Sequence, residues 1–172
     1  MLLKIVSYPD ESLKKICDPV VEFDSGLADL ADNMLETMYV AKGVGLAAPQ
    51  IGRNIRMIVA DPEHYKSEKN PLILINPEIE LLGETIISDQ EGCLSVPMGY
   101  RADVQRNDKI KVKYKDLNGI DKEEIFEGFT AIVIQHEVDH LDGILFIDKI
   151  SRLKRSLYDS KVKRWLRQNV CE

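Results

Sequence analysis

Phe129, Ile132 and Val133, followed on the same face by His136 and His140, fall at i, i+3, i+4, i+7 and i+11. That spacing predicts an amphipathic helix, which Gly143 stops. A second helical stripe begins after Asp24 or Ser25, either of which can cap it, and runs through Leu27, Leu30, Ala31, Met34, Leu35 and Met38. Lys42 is expected in its last turn and Gly43 at its stop. A short helix over Glu11 to Cys17 is closed by Asp18-Pro19, because the residue before a proline is pushed out of the α region. Between the two long helices lie β-like runs at Ile55 to Ala60, Leu72 to Asn76, Glu78 to Leu81 and Glu84 to Ser88, broken by Pro and Gly. They predict an antiparallel meander. Lys109 to Lys115 alternates, Asp116-Leu117-Asn118-Gly119 reads as a turn, and Asp121 to Phe126 returns as a hairpin partner leading into the histidine-bearing helix.

From Lys149 onward a last helix presents Leu153, Leu157, Tyr158, Val162, Trp165 and Leu166 on a drifting apolar surface. The stretch 43–52, GVGLAAPQIG, follows neither period; its glycines suit a tight connection or a backbone that approaches a ligand closely. It lacks the lysine of a phosphate-binding P-loop.

At 172 residues, with 44% hydrophobic and 30% charged residues, one soluble domain spanning 1–172 is expected. No apolar run approaches the ~20 residues that span a bilayer. Cys17, Cys93 and Cys171 are an odd, widely spaced set, a poor disulfide framework that fits a reducing cytoplasm. A net charge of −6 argues against nucleic-acid binding by the whole surface, DNA included. The last helix differs: residues 149–168 carry eight Lys or Arg against one Asp. It is either a solvated face or a dock for an acidic partner such as RNA phosphate.

The chemistry concentrates in Gln135-His136-Glu137-Val138-Asp139-His140. Two imidazoles one helical turn apart can reach one metal ion. Glu137, about 100° round the helix, is placed for a water at that ion, as in H-E-x-x-H metallohydrolases. Ile132 and Val133 set an apolar wall beside it, equally consistent with core and with a substrate pocket. Two histidines leave a metal underligated. Cys93, in the glycine-flanked EGCLSVP segment at 91–97, is the best-placed third ligand. His64, alone in the polar loop from Asp61 to Pro71, is expected to be solvent-exposed. An H-E-x-x-H peptidase would need a downstream third ligand, and no matching signature follows. A structural zinc module would need a fourth ligand, and none is apparent.

Together, GVGLAAPQ at 43–50, EGCLSVP at 91–97 and QHEVDHLDG at 135–143 resemble the three signature motifs of the peptide deformylases, of the bacterial type 1 branch. The resemblance implies an α+β fold, with antiparallel sheets packed around the central metal-site helix and a helical C-terminus. It implies hydrolysis of the formyl group from the N-terminal formyl-methionine of new polypeptides, releasing formate. Residue by residue it assigns Cys93, His136 and His140 to one divalent metal ion, and Glu137, Gln50 and Leu94 to catalysis. Gly45 would hold the peptide, and Phe129, Ile132 and Val133 would line the methionine pocket. Fe(II) is the metal it favours; a donor set of one sulfur and two nitrogens also admits Zn, Ni or Co. For the basic last helix it suggests docking at the ribosome, where formylated chains emerge.

Overall fold

A computed structural model describes residues 1–169; Cys171 lies outside the described residues. Chain order is α1 (Ser25–Val40), β1 (Gly45–Ala47), β2 (Met57–Ala60), β3 (Leu72–Glu91), β4 (Ala102–Lys115), β5 (Asp121–Glu127), α2 (Gly128–Leu141) and α3 (Arg152–Asn169). Single 3-10 turns occupy Glu11–Lys14, Ala48–Ile51 and Phe146–Lys149. The five strands form one antiparallel sheet in sequence order, and α2 packs across it against β4, β1, β2 and β5. This is the α+β architecture with a central helix that the family resemblance implies.

The runs from Leu72 to Ser88, expected as separate strands, are one strand of 20 residues. Its pairing with β4 shifts register between Ile75 and Glu78, between Leu82 and Thr85, and between Ser88 and Glu91. A residue of left-handed backbone sits at each shift: Asn76 (φ 52°), Gly83 (φ 62°) and Gln90 (φ 50°). The breakers therefore bulge the strand instead of ending it. Glycine suits position 83, since a Cβ would stand 2.2 Å from Asp108 Oδ1 and 2.9 Å from Lys109 Cβ. β4 begins at Ala102, seven residues before the alternation at Lys109 was recognisable.

α1 starts as expected, with the Asp24 side chain accepting from Leu27 N–H at 3.0 Å. Its stop differs. Lys42, not glycine, takes the left-handed position (φ 59°), and Lys42 N–H to Tyr39 O with Gly43 N–H to Met38 O closes the helix as a Schellman motif. Gly143 does end α2 in that way (φ 74°), and a Cβ there would strike the Lys14 carbonyl at 2.3 Å. The first short helix is only the turn Glu11–Lys14. Part of the 43–52 loop is strand: Gly45, Leu46 and Ala47 pair with Ala60, Val59 and Ile58.

Three apolar clusters hold the elements together. One joins α2 (Ala131, Ile134, Val138, Leu141) to Ile58, Leu74, Ile110, Val112 and Phe126 of the sheet. A second seats α1 on Leu46, Met57, Val59 and Ile75, so the methionines of α1 are core, as flexible apolar side chains usually are. The third binds Tyr158 and Val162 of α3 to Tyr8, Leu13, Val104 and Phe146. Leu153 and Leu157, expected in the apolar surface of that helix, are exposed.

Candidate active site

α2 is buried on most of its circumference, which places His136, Glu137 and His140 inside the fold instead of on a wetted face. The end of β3 supplies Glu91, and Cys93 follows two residues on. β1 supplies Gly45, and the turn after it supplies Gln50. A helix middle, a strand end and an edge strand thus converge on one point.

One donor atom each from Cys93, His136 and His140 lie within 4.8 Å of one another, with Cys93 Sγ 3.3 Å from His140 Nε2. Donors bound at about 2.0–2.3 Å to one tetrahedral ion stand roughly 3.3–3.8 Å apart, so a trio already within 4.8 Å needs only a small closing movement to hold a metal. Among the described residues no fourth side chain joins the group. Three protein ligands with an open position is the arrangement of catalytic sites, whereas structural sites are closed. Glu137 Oε1 lies 4.0 Å from His136 Nε2. Glu137 Oε2 and His140 Nδ1 are buried with no hydrogen-bond partner, an arrangement that buried polar atoms rarely adopt without a functional reason.

Gln50 is 1% exposed and its amide orientation is fixed. Its Oε1 accepts from Ala47 N–H at 2.9 Å, so Nε2 faces the site, donating to Ser95 Oγ at 3.1 Å and lying 3.5 Å from Cys93 Sγ. Gly45 backs directly onto Glu137, and a Cβ would stand 2.6 Å from Oε1. Leu94 lies over Gly43, and a Cβ on that glycine would meet its Cδ1 at 2.8 Å. Phe129, Ile132 and Val133 line the same cleft of about 430 Å³, together with Gly43, Gly45, Gln50, Cys93, Leu94, His136 and Glu137. The apolar wall that periodicity left undecided therefore faces the cleft, while Ile134 and Val138 serve the core.

Electrostatics separate the titratable groups. Burial pushes the Glu137 carboxyl up to about 7, against the pull of the His136 and Arg106 charges. Burial also works on Glu91, yet hydrogen bonds from His136 and Arg106 outweigh it and hold that carboxyl at about 2. His136 loses by burial but gains more from Cys93 and Glu91, and ends well above the ordinary imidazole value. His140 is driven well below it, by burial first and then by His136 and Arg106.

Arg106 is the participant that the sequence pattern did not single out. Its side chain is 2% exposed and grips Glu91 and Asp139 at 2.8 and 2.6 Å. Glu91 in turn faces His136 Nδ1 at 3.0 Å, which leaves Nε2 for the cleft. A usable signal existed: Ala102, Val104 and Arg106 are alternate residues of β4 on its buried face, where an arginine needs partners. His64, expected to be exposed, is half-buried and bonded to the carbonyl of Gly43.

Fold and site together define a hydrolase with an H-E-x-x-H helix and a cysteine as third candidate ligand. The family model for polypeptide deformylase matches residues 2–156. A peptide deformylase of Desulfotalea psychrophila is 47% identical over 165 residues, 95% of this chain and 96% of that protein. One from Pseudomonas aeruginosa is 45% identical over 169 residues, 98% of this chain and 99% of that one. The crystal structure of a peptide deformylase from Legionella pneumophila superposes with a TM-score of 0.89 at 41% identity, covering 100% of this chain and 99% of the other. That of Synechococcus elongatus in complex with actinonin gives 0.87 at 40% identity, covering 94% and 88%. The chain belongs to the peptide deformylase family, metal-dependent hydrolases that remove the N-formyl group from nascent peptides.

Proposed function

We propose that residues 1–172 act as one catalytic domain in which Cys93, His136 and His140 hold a single Fe(II) ion, and that the cleft residues divide the deformylation among them. The observation that carries this reading is the convergence of three candidate ligands within 4.8 Å, beside a cleft that Cys93, His136 and Glu137 line, with Glu137 Oε2 unpartnered. When bound, the cation supplies Lewis acidity toward the formyl oxygen and makes water a better acid.

Glu137 is the proton carrier. A buried carboxylate with one oxygen unpartnered is well placed to take a proton from water within hydrogen-bond reach. As the water oxygen bonds to the formyl carbon, that proton passes to Glu137, and the carbon–nitrogen bond breaks as Glu137 returns it to the amine nitrogen. Formate and a free amino terminus leave. The charge that builds on the formyl oxygen meets the Gln50 Nε2–H and the Leu94 backbone N–H, donors whose loss typically costs ~3 kcal/mol of barrier each. Gly45 meets the peptide backbone, a role supported by its close approach to Glu137. Phe129, Ile132 and Val133 receive the methionine side chain.

Fe(II) is assigned over Zn, Ni and Co by the family resemblance, since the donor set of one sulfur and two nitrogens accommodates all four. The compartment is proposed to be the cytoplasm. None of the described helices is long and apolar enough to cross a membrane. The basic face of α3 is proposed to dock on ribosomal RNA, supported by the exposure of Lys154, Lys161, Lys163, Arg164 and Arg167.

The deciding experiment is formate release from a formyl-Met tripeptide by protein prepared without oxygen and loaded with Fe(II), beside Glu137→Gln loaded in the same way. Release by the parent alone, at equal metal content, places the proton carrier. Release by both would remove Glu137 from the chemistry.

A further inference from the structure

Three successive carbonyls of the cleft wall are all held by one neighbouring segment. Tyr65 Oη donates to Lys42 O, His64 Nε2 lies 3.0 Å from Gly43 O, and Asp61 N–H donates to Val44 O at 2.9 Å. A carbonyl oxygen only accepts, so the His64 proton sits on Nε2. The holding segment is itself fixed to α1. Asp61 is 1% exposed, and its Oδ2 accepts from Tyr39 Oη at 2.6 Å and from Asn70 N–H at 2.9 Å. The His64 ring stands edge-on to Tyr39 with centroids 5.0 Å apart, and Lys69 Nζ covers that tyrosine at 4.2 Å.

The wall so held is rich in permissive backbone. Glycines flank Val44, and glycine backbone populates more conformations than any other; Lys42 before them is already in the left-handed region (φ 59°). On the cleft side this wall rests on Leu94 and Glu137, with no room for a Cβ at Gly43 or Gly45. A small outward movement would shift the Gly45 backbone along the cleft edge that the peptide meets. Nothing in the hydrolysis itself requires His64 or Tyr65.

We propose that the 61–65 segment is a substrate-positioning clamp. By occupying the carbonyls of Lys42, Gly43 and Val44 it fixes the wall along which the backbone of the formylated peptide lies, with His64 and Tyr65 as positioning residues. This rests on the reading above in which Gly45 meets that backbone. The clamp acts on binding of residues beyond the methionine and leaves the bond-breaking step alone.

The test uses full-length, Fe(II)-loaded protein and two substrates, a formyl-Met tripeptide and formyl-methionine amide, which has no backbone beyond the methionine. His64→Phe keeps the edge-on ring contact and removes the donor; Tyr65→Phe removes only a hydroxyl; His64→Gln restores an N–H at a similar reach. Each lost hydrogen bond is expected to raise KM for the tripeptide about fivefold, with kcat and the KM for the amide within about twofold, and His64→Gln is expected to restore KM. An unchanged tripeptide KM, an equal effect on both substrates, or His64→Gln as impaired as His64→Phe would each overturn the clamp. A parent that releases no formate would instead defeat the reading of the site on which the clamp rests.

Discussion

Arg106 donates to Glu91 through both Nε and Nη2, at 3.0 and 2.8 Å, and the same carboxylate lies 3.0 Å from His136 Nδ1. One buried arginine on β4 therefore orients a histidine on α2 through a carboxylate at the end of β3. The Glu91 and Arg106 side chains are 8% and 2% exposed, so neither charge has solvent to fall back on. Arg106→Leu is expected to destabilise the fold by about 3–5 kcal/mol, because it strands Glu91 beside Asp139, whose side chain is only 20% exposed. That corresponds to a fall of roughly 10 °C in Tm for a chain of this length. A thermal midpoint within about 2 °C of the parent would show that the pair is not structural.

The same carboxylate gives a pH signature. Its folded value of about 2 lies below the ordinary 4.5, so the folded state holds the ionised form more tightly than the unfolded chain does. The resulting stability is fully present above pH 4.5 and is lost as pH falls toward 2. Urea unfolding of metal-free protein should therefore show Glu91→Gln less stable than the parent at pH 6, with the difference shrinking as pH drops from 5 to 3. A difference constant across that window would mean that Glu91 gains nothing from being charged.

Gly45 and Glu137 are in such close register that a methyl group at Gly45 would stand 2.6 Å from Oε1 and 2.8 Å from Cγ. Gly45→Ala must displace the carboxylate, and a shift approaching 1 Å at a reacting group costs on the order of 10²-fold in rate. Metal content and the unfolding midpoint should stay near those of the parent, since the clash is with a side chain facing a cleft. Retention of parental kcat would show that Glu137 has slack to move.

Much of this arrangement could be read from the chain, and the parts that could not share a physical cause. Periodicity located α1 and α2 because their buried faces repeat over several turns. It missed that Leu72 to Glu91 is one strand, since Asn76-Pro77 and Gly83 are as compatible with a bulge as with an end, and only pairing with β4 decides between them. The ligand candidates were legible because metal chemistry restricts residue type and spacing together. Arg106 was not, because its partners Glu91 and Asp139 lie 15 and 33 residues away and nothing in local sequence joins them. His64 is the converse case. A charged loop hides a contact that depends on the Schellman turn at Lys42 bringing the Gly43 carbonyl within reach.

Oxygen should act on the site through its softest atom. Cys93 is only partly buried, and a thiolate with access to solvent is open to stepwise oxidation. Protein loaded with Fe(II) is expected to lose activity on aeration, while Ni- or Zn-loaded protein should lose it more slowly if iron drives the damage. Chelation should abolish turnover in every form, and anaerobic Fe(II) should restore it only where Cys93 remains a thiol by mass. Iron-loaded enzyme with unchanged activity after long aeration would count against the Fe(II) assignment.

Whether α3 meets the ribosome cannot be tested by deleting it, because Tyr158 and Val162 belong to the core with Tyr8 and Phe146, and Tyr158 Oη donates to Pro97 O at 3.1 Å. Arg155 is also committed, to Asp148, Asp159 and Tyr8, so not every cation of the helix is free to bind RNA. Lys154, Lys161, Lys163 and Arg164 are exposed, and their replacement by glutamate leaves the apolar contacts intact. The fourfold variant should keep its melting temperature and its rate on a tripeptide while losing cosedimentation with ribosomes. Because each phosphate contact releases counterions, the binding of the parent should weaken steeply between 50 and 200 mM salt. Cosedimentation that survives the charge reversal would remove α3 from any ribosome contact and leave its basic face as a solvated surface.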